Sequence, residues 1–295
     1  MAHDQSTLSV GTTNHRFELI YVKAPNPVAG VLMVPAMGIS ARHYIPFAKA
    51  LARTGIHTYI HEWRGLGSSS LRADRNTSWG YQELLIDLEA SLEMIFSSEA
   101  DTSLRPFIVA GHSLGSQLAL LLHATSAQSL SGAICIAGGS PFYKAFGWPM
   151  KWALTIMFGA MPRLAHWLGH YPGYRLGFAG REARGVMDDW AASGRTGRYE
   201  PSGVPIDLEQ SLASMETPLL GIRMADDWFV PPSSLNYLMN KCPNAIHHTI
   251  VIDSQSLSGP ADHYRWMKTP NSTAQAIKMW LDDQVMNSAS IGTNR

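Results

Sequence analysis

Net charge is the first thing this chain lacks: 23 Lys and Arg balance 23 Asp and Glu. A surface without net charge sets up no field to gather nucleic acid or acidic lipid, and no run of Lys and Arg restores one. Nucleic acid is therefore not expected as a partner. Cysteine is scarce as well. Cys135 and Cys242 belong to no CxxC or Cys/His spacing, which removes a disulfide framework and a zinc site and fits reduced thiols in a cytoplasmic protein. Residues 1–15 have neither a basic n-region nor an apolar h-region and do not read as a secretory signal. Long apolar runs are missing too. The nearest approach, residues 148–168, is broken by Lys151, Pro162, Arg163 and His166, so stable membrane insertion is not expected. Repeats and low-complexity tracts are absent, and nothing in the chain speaks to its oligomeric state.

Short apolar runs that alternate with helical patterns fill most of the remainder. Strands are expected at 17–22, 30–35, 57–63, 107–110, 132–137, 218–223 and 246–252. The continuous apolar character of GVLMVP and PFIVA marks strands buried on both faces. Helices are expected at 42–53, 79–96, 113–123 and 272–285, the second carrying Leu84, Leu88, Leu92 and Ile95 on one side. This rhythm implies an α/β fold with a mostly parallel central sheet and helices on both faces. One stretch breaks it. Residues 140–212 show no buried-strand pattern and are too long for a bare loop. They are rich in Trp, Met and Phe, and read as an inserted lid of short helices over a core made of 15–139 and 213–287. Residues 1–14 and 288–295 are expected to be flexible ends.

The chemistry is carried by Gly111-His112-Ser113-Leu114-Gly115, a G-x-S-x-G match. It directly follows the strand run PFIVA and directly precedes the helical run QLALLLHA. That setting predicts a nucleophile elbow, in which a sharp strand-to-helix turn lifts a serine hydroxyl clear of the sheet. The small neighbours permit the turn. The N-terminus of the following helix offers free N–H groups to any negative charge that forms there.

With these residues in view, the chain resembles the α/β-hydrolase superfamily over about residues 17–285. The stretches VPAMGISARHYIPFAKALARTG and HEWRGLGSSS are similar to bacterial α/β-hydrolases, and more distantly to monoacylglycerol lipases and serine aminopeptidase-like hydrolases. The resemblance implies the order nucleophile, acid, histidine. Asp227 matches a D-x-x-V-P pattern after the strand PLLGIR, with Asp226 as its close competitor. His263 occupies the place between the last strand and the last helix. Asp262 stands where relatives commonly have glycine, and its carboxylate would act on the imidazole if it faced the ring. Backbone N–H groups of Leu114 and Met37 are implied as the oxyanion hole, with Pro35-Ala36 replacing a more usual His-Gly pair. The turn Arg64-Gly65-Leu66-Gly67-Ser68 is implied to shape the pocket floor without a catalytic role.

Other histidines read as structural: His247 and His248 within a strand, and His112 behind the elbow. His57 and His61 lie four apart on a strand, too far separated to share a metal. No metal or cofactor is called for. Trp148, Trp152 and Trp167 are expected to line the substrate pocket from the lid. An aromatic, Met-rich lid favours a small apolar ester, hence a carboxylesterase or small lipase. The same residues would serve an acyltransferase or thioesterase, and a non-catalytic small-molecule binder on this fold is the reading from another class.

Overall fold

The structure, a computed structural model, describes residues 5–97 and 106–286. Ten strands are present among them: β1 (Gln5–Thr12), β2 (His15–Val22), β3 (Ala29–Val34), β4 (Ile56–Ile60), β5 (Phe107–His112), β6 (Ala133–Ile136), β7 (Tyr171–Pro172), β8 (Arg181–Glu182), β9 (Leu219–Met224) and β10 (His247–Ile252). Eight form one sheet in the order β1-β2-β4-β3-β5-β6-β9-β10, and β7 pairs with β8 alone. From β4 to β10 every pairing is parallel; β1 with β2 and β2 with β4 are antiparallel.

The helices are α1 (Ile45–Arg53), α2 (Tyr81–Ser97), α3 (Leu114–Thr125), α4 (Met150–Leu168), α5 (Gly173–Leu176), α6 (Arg184–Thr196), α7 (Leu208–Ala213), α8 (Pro232–Met239), α9 (Ser254–Leu257) and α10 (Asn271–Trp280). Both faces of the parallel strands are covered, which is why β3 and β5 are buried at every position. Alternate residues of β3 feed two cores. Leu32 and Val34 join Leu88, Leu92, Leu118 and Leu122 from α2 and α3. Val31 and Met33 join Phe47, Leu51, Trp266 and Ile277 on the opposite face.

One expected flexible end is ordered. β1 pairs with β2 along its whole length, and the pairing of Thr12 with His15 leaves Thr13-Asn14 as a tight turn. Its side chains are largely exposed and polar, with Val10 as the buried exception. The strand is held by backbone hydrogen bonds to β2, so no apolar pattern announces it. The rest of the expected flexible ends, 1–4 and 288–295, lies outside the described residues.

Between β6 and β9 the chain leaves the sheet. Here α4 is a single helix of 19 residues that accommodates Pro162, where short helices were expected. It packs against α6, with Phe158 edge-on to Trp190 at 4.9 Å. The segment's last helix, α7, packs against α3 of the core. No described helix is long and apolar enough to cross a membrane.

Candidate active site

Ser113 sits between β5 and α3 with φ 55° and ψ −119°. A side-chain-bearing residue rarely adopts this conformation, which costs about 1–3 kcal/mol and persists only where the surroundings impose it. Two glycines make it possible. A Cβ on Gly111 would run into the Gly115 carbonyl, and one on Gly115 would run into the carbonyls of Val34 and Pro35. The turn therefore closes directly against the end of β3.

Three side chains far apart in sequence converge on this turn. His263 Nε2 lies 3.0 Å from Ser113 Oγ, and His263 Nδ1 lies 2.8 Å from Asp227 Oδ2. Asp227 Oδ1 accepts the N–H groups of Phe229 at 2.8 Å and Val230 at 3.2 Å. The turn after β9 thus orients the carboxylate, and the carboxylate orients the imidazole. Asp226 points elsewhere. Its Oδ2 accepts the Ala261 N–H at 3.1 Å and its own N–H donates to the Ala261 carbonyl, so it fastens the loop that carries His263. Asp262 does not face the imidazole either; its Oδ1 accepts the N–H groups of Tyr264 and Arg265.

Behind the triad, His112 ties these loops together. Its Nε2 donates to the His263 carbonyl at 2.8 Å. A neutral ring must then accept at Nδ1, so the Tyr44 hydroxyl donates to it at 2.7 Å. The same hydroxyl accepts the Ala36 N–H at 2.8 Å. Burial, reinforced by the nearby His263, holds the His112 pKa well below the usual histidine value, which keeps the ring neutral as this chain of bonds requires. Trp63 adds a second strut, its Nε1 donating to the carbonyls of Pro35 and Ala36. Sequence reading had His112 as structural behind the elbow, but it assigned no role to Tyr44 or Trp63. The available signals were a histidine at the end of an apolar strand run and a tryptophan just beyond another.

Met37 and Leu114 both line the space in front of Ser113. Neither backbone N–H is engaged by another described residue, so two donors are free beside the serine. The turn holding Met37 is pressed against the β7–β8 connection, where a Cβ on Gly38 would strike Ala179 and Gly180. The Arg64–Ser68 turn, expected at the pocket floor, lines none of this space. Its arginine instead pairs with Asp87 of α2.

The space is a cavity of about 350 Å³, walled by Phe146, Met150, Leu154, Met157, Phe178 and Trp190, with Phe229 and Tyr264 beside His263. Among its lining residues there is no Asp, Glu, Lys or Arg. The three tryptophans expected there are not part of it. Trp148, Trp152 and Trp167 are 79%, 62% and 74% exposed and point to solvent. The cause is helical geometry. Met150, Leu154 and Met157 occupy the inner side of α4, while Trp152, Ile156 and Trp167 fall on the outer side. Trp190 on α6 takes the place expected of them.

Histidines outside the site bond locally: His57 accepts the Ala24 N–H, His61 pairs with Ser91, and His247 with the Cys242 carbonyl.

Comparison with solved structures places the same architecture elsewhere. A soluble variant of monoglyceride lipase from Saccharomyces cerevisiae, solved with a substrate analogue, superposes with a TM-score of 0.72 at 16% identity, covering 97% of this chain and 97% of that one. A bromoperoxidase from Bacillus anthracis gives 0.62 at 17% identity, over 94% of this chain and 100% of that one. An esterase from Pyrococcus furiosus gives 0.59 at 14% identity, over 96% and 93%. These likenesses establish the fold. No curated protein matches the sequence. Residues 25–187 match the family described as Serine aminopeptidase, S33, and since that match spans more than half of a chain with this fold, the protein belongs to that family of the α/β-hydrolase superfamily.

Proposed function

We propose that the chain is a serine hydrolase that cleaves carboxylic esters of apolar acyl or aryl groups through an acyl-enzyme on Ser113. The observation that carries this reading is the unbroken run Ser113–His263–Asp227, set on a strained elbow and opening into an apolar cavity. His263 takes the serine proton as Oγ attacks the carbonyl, and later returns it to the leaving alcohol. Asp227 holds the imidazole tautomer and stabilises its charged form. The free N–H groups of Met37 and Leu114 receive the oxyanion. Water then repeats the sequence on the acyl-enzyme.

The cavity argues for the substrate class. It stands at the small end of the roughly 300–1,000 Å³ usual for ligand sites, and its lining is overwhelmingly apolar. An aminopeptidase substrate would bring a charged amine, and no lining carboxylate waits to receive it. The names of the lipase and esterase relatives agree with an ester. In this reading α4 and α6 act as a lid whose inner faces shape the acyl pocket.

The test is labelling with a fluorophosphonate followed by mass-spectrometric site mapping. Modification of Ser113 is expected, abolished in Ser113→Ala. An unlabelled, folded protein would leave a binding module as the better reading. Product analysis with added alcohol or thiol separates hydrolysis from acyl transfer by the same residues.

A further inference from the structure

Gln117 is a deep carboxamide of the cavity that the proposed mechanism leaves unused. It lies in the first turn of α3, three residues after Leu114, which also lines the cavity. It lines the cavity, is 4% exposed, and its Oε1 is buried without a hydrogen-bond partner. Apart from the indole N–H of Trp190, the other polar groups of the lining are bonded elsewhere or stand at the rim. Ser234 Oγ donates to the Ser140 carbonyl, and Ser140 Oγ accepts the Phe142 N–H. Trp228 and Tyr264 stand at the rim, 64% and 37% exposed. A buried amide oxygen without a donor is costly, and a leucine or methionine would fill the same place without that cost. The neighbouring positions on α3 are indeed apolar: Leu114, Leu118 and Leu121.

We propose that Gln117 is a specificity residue for the hydrolase reading given above, on which this inference rests. Turned toward the cavity, its carboxamide bonds an uncharged hydroxyl or amide N–H carried by the substrate near the reacting carbonyl. A carboxamide both accepts and donates, which suits a hydroxyl or amide partner. A charged group is disfavoured, because the lining holds no counter-charge for it. The substrate is therefore a short apolar ester bearing one neutral hydrogen-bonding group, and a plain hydrocarbon ester leaves the carboxamide unpaired.

Ethyl hexanoate serves as the plain reference for the test. It is compared with ethyl hexanoates hydroxylated at the β, γ or δ carbon, and with 2-hydroxyethyl and 3-hydroxypropyl hexanoate. The first set places the hydroxyl in the acyl half, the second in the alcohol half, so the favoured arm shows which half faces Gln117. In the wild type, kcat/KM for one hydroxylated ester should exceed that for the plain ester by about tenfold or more. Gln117→Met should bring that ratio close to one. Gln117→Asn, whose carboxamide is drawn back by one methylene, should move the favoured hydroxyl position or retain part of the preference. Fluorophosphonate labelling of Ser113 in each variant reports that the site is assembled, and if Gln117→Met fails to label, Gln117→Asn carries the comparison. An unchanged ratio in a labelled variant overturns the proposal, including the case in which a trapped water satisfies the carboxamide. If the wild type hydrolyses none of these esters, the hydrolase reading fails separately. The Gln117 assignment is then decided by calorimetric Kd ratios for the same compounds, with the same expected collapse.

Discussion

Among the described residues two Ser–His–Asp chains stand out, and one of them faces a cavity. The first joins Ser113, His263 and Asp227 at distances of 3.0 and 2.8 Å. The second joins Ser69, His15 and Asp87 at 2.8 and 2.9 Å. By distance alone they are equivalent; their surroundings are not. Ser69 is 6% exposed, and its oxygen also accepts the N–H groups of Gly65 and Leu71. Its hydroxyl also lies within hydrogen-bond reach of His15 Nε2 and the Leu71 carbonyl, so its proton and lone pairs are engaged by neighbours. Asp87 is further gripped by Arg64 through two hydrogen bonds of 2.8 and 2.7 Å. That cluster locks the first hairpin, the turn after β4 and α2 together. Ser113, by contrast, is held on a strained turn against an open cavity, with free N–H donors beside it. A triad becomes chemically useful through access and unused donors, beyond its three side chains.

The largest effect should come from the two serines treated alike. Ser113→Ala should lower kcat for a p-nitrophenyl ester by at least about 10⁴-fold while leaving the fold intact. Ser69→Ala should leave turnover near that of the wild type but lower stability by about 1–3 kcal/mol in urea unfolding, because it strands buried N–H groups. Comparable losses of activity in both variants would erase the distinction.

The carboxylates extend the comparison. Asp227→Asn should lower kcat by roughly 10³–10⁴-fold, since it disturbs the tautomer of His263. Asp226→Asn only loosens the Ala261 loop and should cost less than about tenfold, the scale of one neutral hydrogen bond. Equal losses would mean that both acids serve the imidazole.

At Asp87 the expected change is in stability. Asp87→Asn leaves the buried Arg64 guanidinium without its counter-charge and should destabilise by about 3–5 kcal/mol. Burial by itself would raise the Asp87 pKa, but hydrogen bonds from His15 and Arg64 outweigh it and hold the carboxyl below its ordinary value. A depressed carboxyl contributes stability that is present above the unfolded pKa of about 3.9 and is lost as pH falls below it. Urea midpoints across that acid range should therefore fall steeply for the wild type and more gently for Asp87→Asn. Parallel curves would show that Asp87 carries no such linkage.

The smallest effects concern the two sides of α4. Met157→Ala should shift acyl chain-length preference by about tenfold, as expected for contacts worth a few methylenes. Trp152→Gln and Trp167→Gln should leave the profile of p-nitrophenyl esters unchanged. A shift in the outer variants as large as in Met157→Ala would mean that those tryptophans reach the substrate.

Much of this was legible in the chain, for reasons that are local. The elbow could be read because its demands fall within a few residues: an apolar strand, two glycines where backbones touch, and a helix directly after. The position of His263 followed from element order through a family resemblance. Asp227 was preferred to Asp226 only through the D-x-x-V-P resemblance, since adjacent carboxylates differ only in which way the turn after β9 aims them. β1 stayed hidden because backbone pairing holds it and its side chains carry almost no apolar signal. The tryptophans of α4 misled because this helix has large apolar groups on both sides, so its pattern singles out no inner face.

Sequence alone determined the alternation of strands and helices and the sharp turn at Ser113, because steric limits and hydrophobic periodicity act over short spans. The tertiary structure decided which serine faces a cavity. Ser113 and Ser69 reach their histidines across separations of 150 and 54 residues, and whether a hydroxyl ends in a cavity or among loop amides depends on what the rest of the chain packs around it.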